Sequence, residues 1–258
     1  MTRDRSAEAR LGIAMPVFNE ERWLDTILRR VLARPEVARI VAVDDGSTDG
    51  SWNKLQRWAK EDDRVHAIQH AHNRGKGAAI RTALEHLATP FILIQDADLE
   101  YDPADYAALL EPILRDEADV VYGSRFPING RATLPRSPDL PGEMGSAEAS
   151  PCRGTLHWHT LGNRLLTAAC NQLTGLQLTD EATCYKLFKR EVLEQIELTE
   201  DGFGFCPEVT AKVARMVRAG SVRLREVPIT YHGRTNAEGK KIRFRDGVGA
   251  LRCLWKHR

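Results

Sequence analysis

From Leu11 to Arg125 the chain alternates short apolar runs with amphipathic stretches, and that alternation constrains the fold more than any other feature. The runs are LGIAMPVFN from Leu11, VARIVAVDD from Val37, then RVHAIQH, FILIQD and ADVVYGSR. Between them lie stretches with helical spacing. EERWLDTILRRVL puts Trp23, Ile27 and Val31 on one face, and Asp49 is placed to cap a helix through Trp52, Leu55 and Trp58. GKGAAIRTALEHL and PADYAALLEPIL follow, the latter with Pro103 in its first turn. Strands that are apolar throughout are covered on both faces. The expected fold is therefore α/β, a mainly parallel sheet flanked by helices on both faces. In such sheets ligands bind beyond the carboxyl ends of the strands. The polar clusters FNE, DDGS, DADLE and GSR all fall there.

The remainder is less regular. Phe126 to Gly154 holds Pro127, Pro135, Pro138, Pro141 and Pro151 among glycines and serines, and reads as a mobile functional loop or a disordered insertion. LHWHTLGNRLLTAACNQLTG reads as an amphipathic helix, ATCYKLFKREVLEQI as a strand running into a helix, and CPEVTAKVARMVRAG as a helix ending at Gly220. VRLREVPITYHGR reads as a strand, and FRDGVGALRCLWKHR as a basic amphipathic tail. A length of 258 residues suits one domain, 1–258, with 1–10 as a flexible lead, 126–154 as the loop and 244–258 as the tail.

A net charge of +1 exerts no global pull toward nucleic acid, so no nucleic-acid partner is expected. Cys152, Cys170, Cys184, Cys206 and Cys253 form no CxxC pair, which argues against a disulfide framework or a structural zinc. MTRDRSAEAR has no signal-peptide core, and no apolar run is long enough to span a bilayer. The expected location is cytoplasmic, with peripheral contact on the membrane left open.

Asp96, Asp98 and Glu100 bring three acids to the end of an apolar strand. Alternate residues of an extended segment share a face, so the three carboxylates are expected to converge on a hard cation, Mg2+ or Mn2+. The alternative is that Asp98 or Asp102 merely caps the next helix. Asp45 is placed to accept hydrogen bonds from a nucleobase, with Asp44 orienting the loop. Gly75 and Gly77 permit close backbone approach, and Lys76 and Arg74 are placed to meet phosphate. Arg234, Lys240, Lys241, Arg243 and Arg245 read either as a diphosphate clamp or as a solvated basic loop. His157 and His159 do not share a helical face, so no metal is assigned to them.

Together, MPVFNE, VDDGSTDGS, DADLE, YGSRF and VPITYHGRTNAEGKK resemble, in that order, the signatures of the inverting family 2 glycosyltransferases of GT-A type. The resemblance is to the branch of dolichol-phosphate mannose synthases and bacterial polyprenyl-phosphate glycosyltransferases, and it spans Leu11 to Lys241. It implies a Rossmann-like GT-A sheet with a helical acceptor-side C-terminal part. Pro16, Phe18 and Glu20 would line the nucleotide pocket, and Val43 and Asp45 the base and ribose. Asp96, Ala97 and Asp98 would meet the cation and the donor diphosphate, with Glu100 as a third metal ligand. Arg125, Arg234 and Lys240 would hold phosphates, and Lys76 joins the donor side. Asp98 and Arg125 are the catalytic candidates, with Asp180 as a candidate base beside Glu181.

Three positions depart from the family pattern. Phe18 stands where tyrosine is frequent, Glu100 where glutamine is expected, and Gly239 where a serine precedes the lysine. The implied reaction is hexose transfer from a GDP-mannose- or UDP-glucose-type donor to a polyprenyl or dolichyl phosphate at a membrane surface. A membrane-protein partner and a homo-oligomer are both left open. Other readings are a soluble small-molecule or saccharide acceptor, a sugar-phosphate nucleotidyltransferase, and a non-catalytic nucleotide-sugar-binding protein.

Overall fold

The apolar run at Leu11 becomes the central strand of the sheet. The computed structural model describes residues 11–126, 158–233 and 244–257. Strand β1 (Leu11–Val17) lies between β2 (Val37–Asp44) and β4 (Phe91–Ile94), parallel to both, and β3 (Val65–Gln69) runs parallel beside β2. Leu11, Ile13, Ala14 and Met15 are wholly buried, as a strand covered on both faces requires. The other half holds β5 (Val120–Ser124), β6 (Lys186–Lys189) and β7 (Leu224–Pro228). Among the described residues the sheet has seven strands, in the order β3-β2-β1-β4-β6-β5-β7.

The sheet is mainly parallel, as expected, with β6 reversed between β4 and β5. Direction is not encoded in the burial pattern of a short strand. It matters here because reversal places the start of β6, and the segment before it, at the edge where β4 and β5 end.

Helix α1 (Glu21–Leu32) buries Leu24, Ile27, Leu28 and Val31. Trp23 sits at the margin of that stripe, 4.4 Å beneath the Arg22 guanidinium, so the buried face is turned from the expected one. In α2 (Ser51–Glu61) Leu55 is the buried apolar residue, while Trp58 Nε1 donates to Asp25 at 2.9 Å and ties α2 to α1. Gly50 occupies the cap position of α2, and Asp49 acts one residue earlier. Helix α3 (Lys76–Glu85) packs across β1 and β2 and sends Ala79, Ile80 and Ala83 into the core.

Pro103 opens a 3-10 turn, Pro103–Asp105, that leads into α4 (Tyr106–Leu114). Beyond it come α5 (Trp158–Thr174), the single turn α6 (Arg190–Leu193), α7 (Phe205–Arg218) and α8 (Phe244–His257). Gly220, at φ 74, follows the end of α7, consistent with the left-handed cap a glycine supplies.

Successive residues of an extended strand face opposite sides. Tyr185 joins Tyr106 of α4 through Gln95, whereas Lys186 lies over the ring of Tyr122, whose hydroxyl meets Thr210 of α7. Helices α4 and α7 therefore cover opposite faces. Helix α8 packs on α5 and α7. Among the described residues, no helix is long and apolar enough to cross a membrane.

Candidate active site

The loops after β1 and β2 are knit together by side chains. Asn19, held at φ 51, donates from its amide to Ser47 Oγ at 2.9 Å, and its Oδ1 accepts from Thr48 N at 2.8 Å. Glu20 N donates to Ser51 Oγ at 3.0 Å. Asp49 accepts from Ser51 N at 3.0 Å and from Glu21 N at 3.1 Å, so one carboxylate serves the start of both α1 and α2. Asp44 Oδ2 accepts from Ser47 N at 3.3 Å, the loop-orienting part expected of it. Pro16 and Val43 are register partners on β1 and β2, close to the edge. Phe18 and Glu20 follow directly in the first of these loops.

Asp45 is buried, and its carboxylate is occupied by the chain itself. Oδ1 accepts from Arg74 N at 2.9 Å and Oδ2 from Gly75 N at 2.7 Å. His70 Nδ1 lies 2.7 Å from Oδ1, and its Nε2 lies 3.0 Å from Thr82 Oγ1. Asp45 thus fixes the turn that launches α3. Gly75 adopts φ 98, and a Cβ there or at Gly77 would strike the carbonyl oxygens of Asp201 or Glu200. The glycines let this turn sit flush on residues 200–202. Lys76, the first residue of α3, places Nζ 2.6 Å from Asp96 Oδ1 and 3.7 Å from Cys184 Sγ. Burial opposes the ammonium charge, but the Asp96 carboxylate prevails and raises the Lys76 pKa well above the ordinary lysine value.

The acidic segment is not extended. Strand β4 stops at Ile94 and the chain bends through residues 97–100, so the alternate-residue rule does not carry to Glu100. Asp98 Oδ1 turns back to accept from Glu100 N at 3.0 Å, and Glu100 Oε2 accepts from the Tyr231 hydroxyl at 3.1 Å. Asp96, Asp98 and Glu100 do not gather as one set of oxygens within 4.8 Å, so the expected three-carboxylate convergence is not present. Helix capping does not explain Asp98 either, because Asp102 Oδ1 accepts from Ala104 N at 2.9 Å and takes that task. Gln95 anchors the segment from below. Its Oε1 accepts from the hydroxyls of Tyr106 and Tyr185, each at 2.6 Å, and its Nε2 donates to Asp96 O. Ala97 is buried between the two aspartates.

The reversal of β6 brings Asp180 to the same edge. Arg125 donates to it from the backbone amide at 3.0 Å, and from Nε and Nη2 at 2.7 Å each. Such a two-pronged pair is strong and directional. Burial works against the Arg125 charge, but Tyr101 and Asp180 more than offset it, and its pKa is raised. The Arg125 guanidinium also sits 5.1 Å from the Tyr231 ring centroid. Glu226 accepts from Thr179 N and Asp180 N and holds the segment from the β7 side. Glu181 is wholly buried, and burial raises its pKa toward the neutral acid.

The family 2 glycosyl transferase model matches residues 12–197, most of the chain. The chain belongs to that family. This transferase is 29% identical over 234 residues to an undecaprenyl-phosphate mannosyltransferase of Micrococcus luteus, covering 88% of the chain and 85% of that protein. It is 24% identical over 244 residues to a dodecaprenyl-phosphate galacturonate synthase of Rhizobium johnstonii, covering 93% of the chain and 64% of that protein. It spans only 54% of a hexosyltransferase of low-salt glycan biosynthesis from Haloferax volcanii, so some relatives are considerably longer. A crystal structure of glucosyl-3-phosphoglycerate synthase from Mycobacterium tuberculosis, in complex with Mn2+, UDP-glucose and glycerol 3-phosphate, superposes with a TM-score of 0.66. That superposition covers 98% of the chain and 81% of the synthase at 16% identity, a likeness of GT-A fold.

In the transferase, Arg234 and Lys240 lie outside the described residues, as do His157 and nearly all of the proline-rich segment. Sequence reasoning missed Gln95, His70, Tyr231 and Glu226. A lone amide at the end of an apolar strand was the one available signal, because buried polar groups are almost always paired. The partners of the other three come from distant segments.

Proposed function

We propose that this glycosyl transferase moves a hexose, with inversion, from a GDP-mannose- or UDP-glucose-type donor to a polyprenyl or dolichyl phosphate. The observation that carries the reading is the double contact of Tyr231. Its hydroxyl reaches Glu100 and its ring lies against Arg125, so the acid-bearing segment after β4 and the cation after β5 share one site. A donor diphosphate needs both kinds of group.

The donor chemistry fits a hard divalent ion, since Asp96 and Asp98 are carboxylates on either side of Ala97 just beyond β4, and Mg2+ asks for only one or two from the protein. Asp98, with Asp96 beside it, would hold Mg2+ or Mn2+. When bound, the ion would neutralise charge on the departing nucleoside diphosphate. Lys76 adds a fixed cation beside Asp96. Pro16, Phe18, Glu20, Val43 and Asp45 belong to the walls and supports of the nucleotide pocket. Arg234 and Lys240 are assigned to the phosphates, with Arg125 held rigid for the same purpose.

A phosphate acceptor is already an anion near neutral pH. Its oxygen forms the new bond to the anomeric carbon as the bond to the diphosphate breaks, and the electron pair leaves with the nucleoside diphosphate. No proton is moved, so no general base is needed. Asp180 is accordingly assigned a positioning role toward Arg125 rather than base catalysis. The names of the Micrococcus and Rhizobium relatives support a lipid acceptor over a soluble one. So does the exposure of Leu165 on α5 (63%) and Trp255 on α8 (65%), large apolar side chains on two helices that pack together and could meet a membrane surface.

Calorimetric titration with GDP-mannose and with UDP-glucose, each with and without Mn2+, tests the donor side. Binding of one donor that requires Mn2+ and is lost in Asp98→Ala is expected. Metal-independent binding that survives Asp98→Ala would overturn the reading.

A further inference from the structure

Helix α8 carries Cys253 and His257 four residues apart, a spacing that sets both side chains on one helical face. Opposite them lies Glu200, on the loop between α6 and α7. The Cys253 sulfur, a His257 ring nitrogen and a Glu200 carboxylate oxygen all lie within 4.8 Å of one another. We propose that these three residues form a binding site for a zinc-like transition-metal ion, separate from the acidic segment after β4.

The chemistry of the three donors differs from that of Asp96 and Asp98. One thiolate, one imidazole and one carboxylate suit a borderline-soft ion in a tetrahedral shell, with water or a further ligand in the fourth place. Bonds of about 2.0–2.3 Å put tetrahedral ligands roughly 3.5 Å apart, so closure asks for a shift of about 1 Å at the side chains. Cys253 is buried and His257 mostly so, which leaves little mobility to be lost on binding.

The present contacts show what an ion would replace. Cys253 Sγ donates to Gly204 O at 3.3 Å, while Lys256 Nζ and His257 Nε2 approach Glu200 Oε1 at 2.8 and 3.2 Å. Glu208 lies 3.8 Å from His257 but is occupied by Thr199, Glu200 N and Lys212. A metal-bound cysteine is a thiolate, so the ion takes the place of the Cys253 proton.

The site's position gives it a consequence for the transferase. The Glu200 carbonyl accepts from Arg81 Nη1 at 2.7 Å, and the Asp201 carbonyl accepts from Ala78 N at 3.0 Å. These are the carbonyls that lie against Gly75 and Gly77. An ion joining Glu200 to α8 therefore braces the loop on which the first turn of α3 rests, and Lys76 opens that turn. The tail becomes a metal-dependent support for the donor side.

The test is titration of the untagged, chelator-stripped full chain with Co2+. A thiolate-to-cobalt charge-transfer band saturating at one equivalent, abolished in Cys253→Ser and reversed by Zn2+, is expected. The band should weaken at least tenfold in apparent affinity in His257→Ala and in Glu200→Gln, and persist in Asp98→Ala. Zn2+ should raise the thermal midpoint of the native chain but not of His257→Ala. Absence of the band, its survival in a folded Cys253→Ser chain, or an unchanged affinity in folded His257→Ala and Glu200→Gln chains would overturn the site. Because Asp98→Ala leaves it intact, failure here is distinguishable from failure of the proposed transfer reaction.

Discussion

Arg125 and Asp180, 55 residues apart in sequence, meet through three hydrogen bonds, one from the Arg125 amide and two from its guanidinium. Asp180 is wholly buried, so removing either partner strands a charge away from water. Arg125→Ala and Asp180→Ala should each lower stability by about 3 kcal/mol, the usual cost of breaking a buried pair from one side. Asp180→Asn keeps the shape but loses one charged arm. It should lower kcat by roughly a hundredfold with the donor KM little changed, because it misplaces a group that acts on developing charge. A steady-state comparison of kcat and KM in Asp180→Asn checks this. An unchanged kcat would remove the positioning role.

Lys76 and Asp96 make the second pair of the edge, at 2.6 Å. Lys76→Met leaves Asp96 without its cation and withdraws a positive charge from the diphosphate region. Donor affinity should fall by about tenfold, the equivalent of about 1.4 kcal/mol, while the fold is retained. Isothermal titration with donor and Mn2+ reads this directly. The alkaline limb of the activity profile should not report Lys76, whose pKa is already raised above the ordinary lysine range.

Gly77 lies against the Glu200 carbonyl with no space for a side chain. Gly77→Ala forces backbone from backbone, and should cost about 1–3 kcal/mol, as overpacking does. A glycine without neighbours serves as a control: Gly175→Asn keeps a residue tolerant of its φ of 75 in open space and should be nearly silent. Urea midpoints of the two variants check the contrast.

Asp105 lets stability be read against pH. Burial raises its carboxyl to about 6 from the ordinary 3.8, against the pull of its hydrogen bonds from Thr230. The folded chain therefore holds this proton more tightly than the unfolded one. Its contribution is full below about pH 3.8 and is lost as pH rises through about 6. Asp105→Asn should remove this decline, so the gap in urea stability between variant and native chain should shift in the variant's favour between about pH 4 and about pH 7. A pH-independent gap would contradict it.

Much of this architecture was readable in the sequence, and for a physical reason. The runs at Leu11 and Phe91 are apolar throughout, the run at Val37 is apolar from Ile40 to Val43, and only a sheet covered on both faces buries such strands. The clusters FNE, DDGS and DADLE then had to fall at the carboxyl edge. What was not readable depends on groups that meet only in space. Nothing in KLFK states that β6 runs backward, yet that reversal delivers Asp180 to Arg125. The acids after Ile94 were expected on one face of an extended segment. The chain bends there, Asp98 folds onto the Glu100 amide, and Tyr231 draws Glu100 aside. Asp45 was read as a ligand to the base, but its oxygens face the amides of Arg74 and Gly75, contacts that only the crossover from β3 to α3 creates. Cys253 and His257 carried a further unread signal, a four-residue spacing whose proposed third donor, Glu200, lies on a distant loop.

The most direct measurement of the central claim is transfer of labelled sugar from GDP-mannose or UDP-glucose to a short-chain polyprenyl phosphate, with Mn2+, by the native chain and by Asp98→Ala. The account predicts a lipid-linked sugar and an equal amount of nucleoside diphosphate from one of the donors, dependent on Mn2+ and lost in Asp98→Ala. Metal-dependent release of nucleoside diphosphate only when a soluble acceptor replaces the lipid phosphate would contradict it.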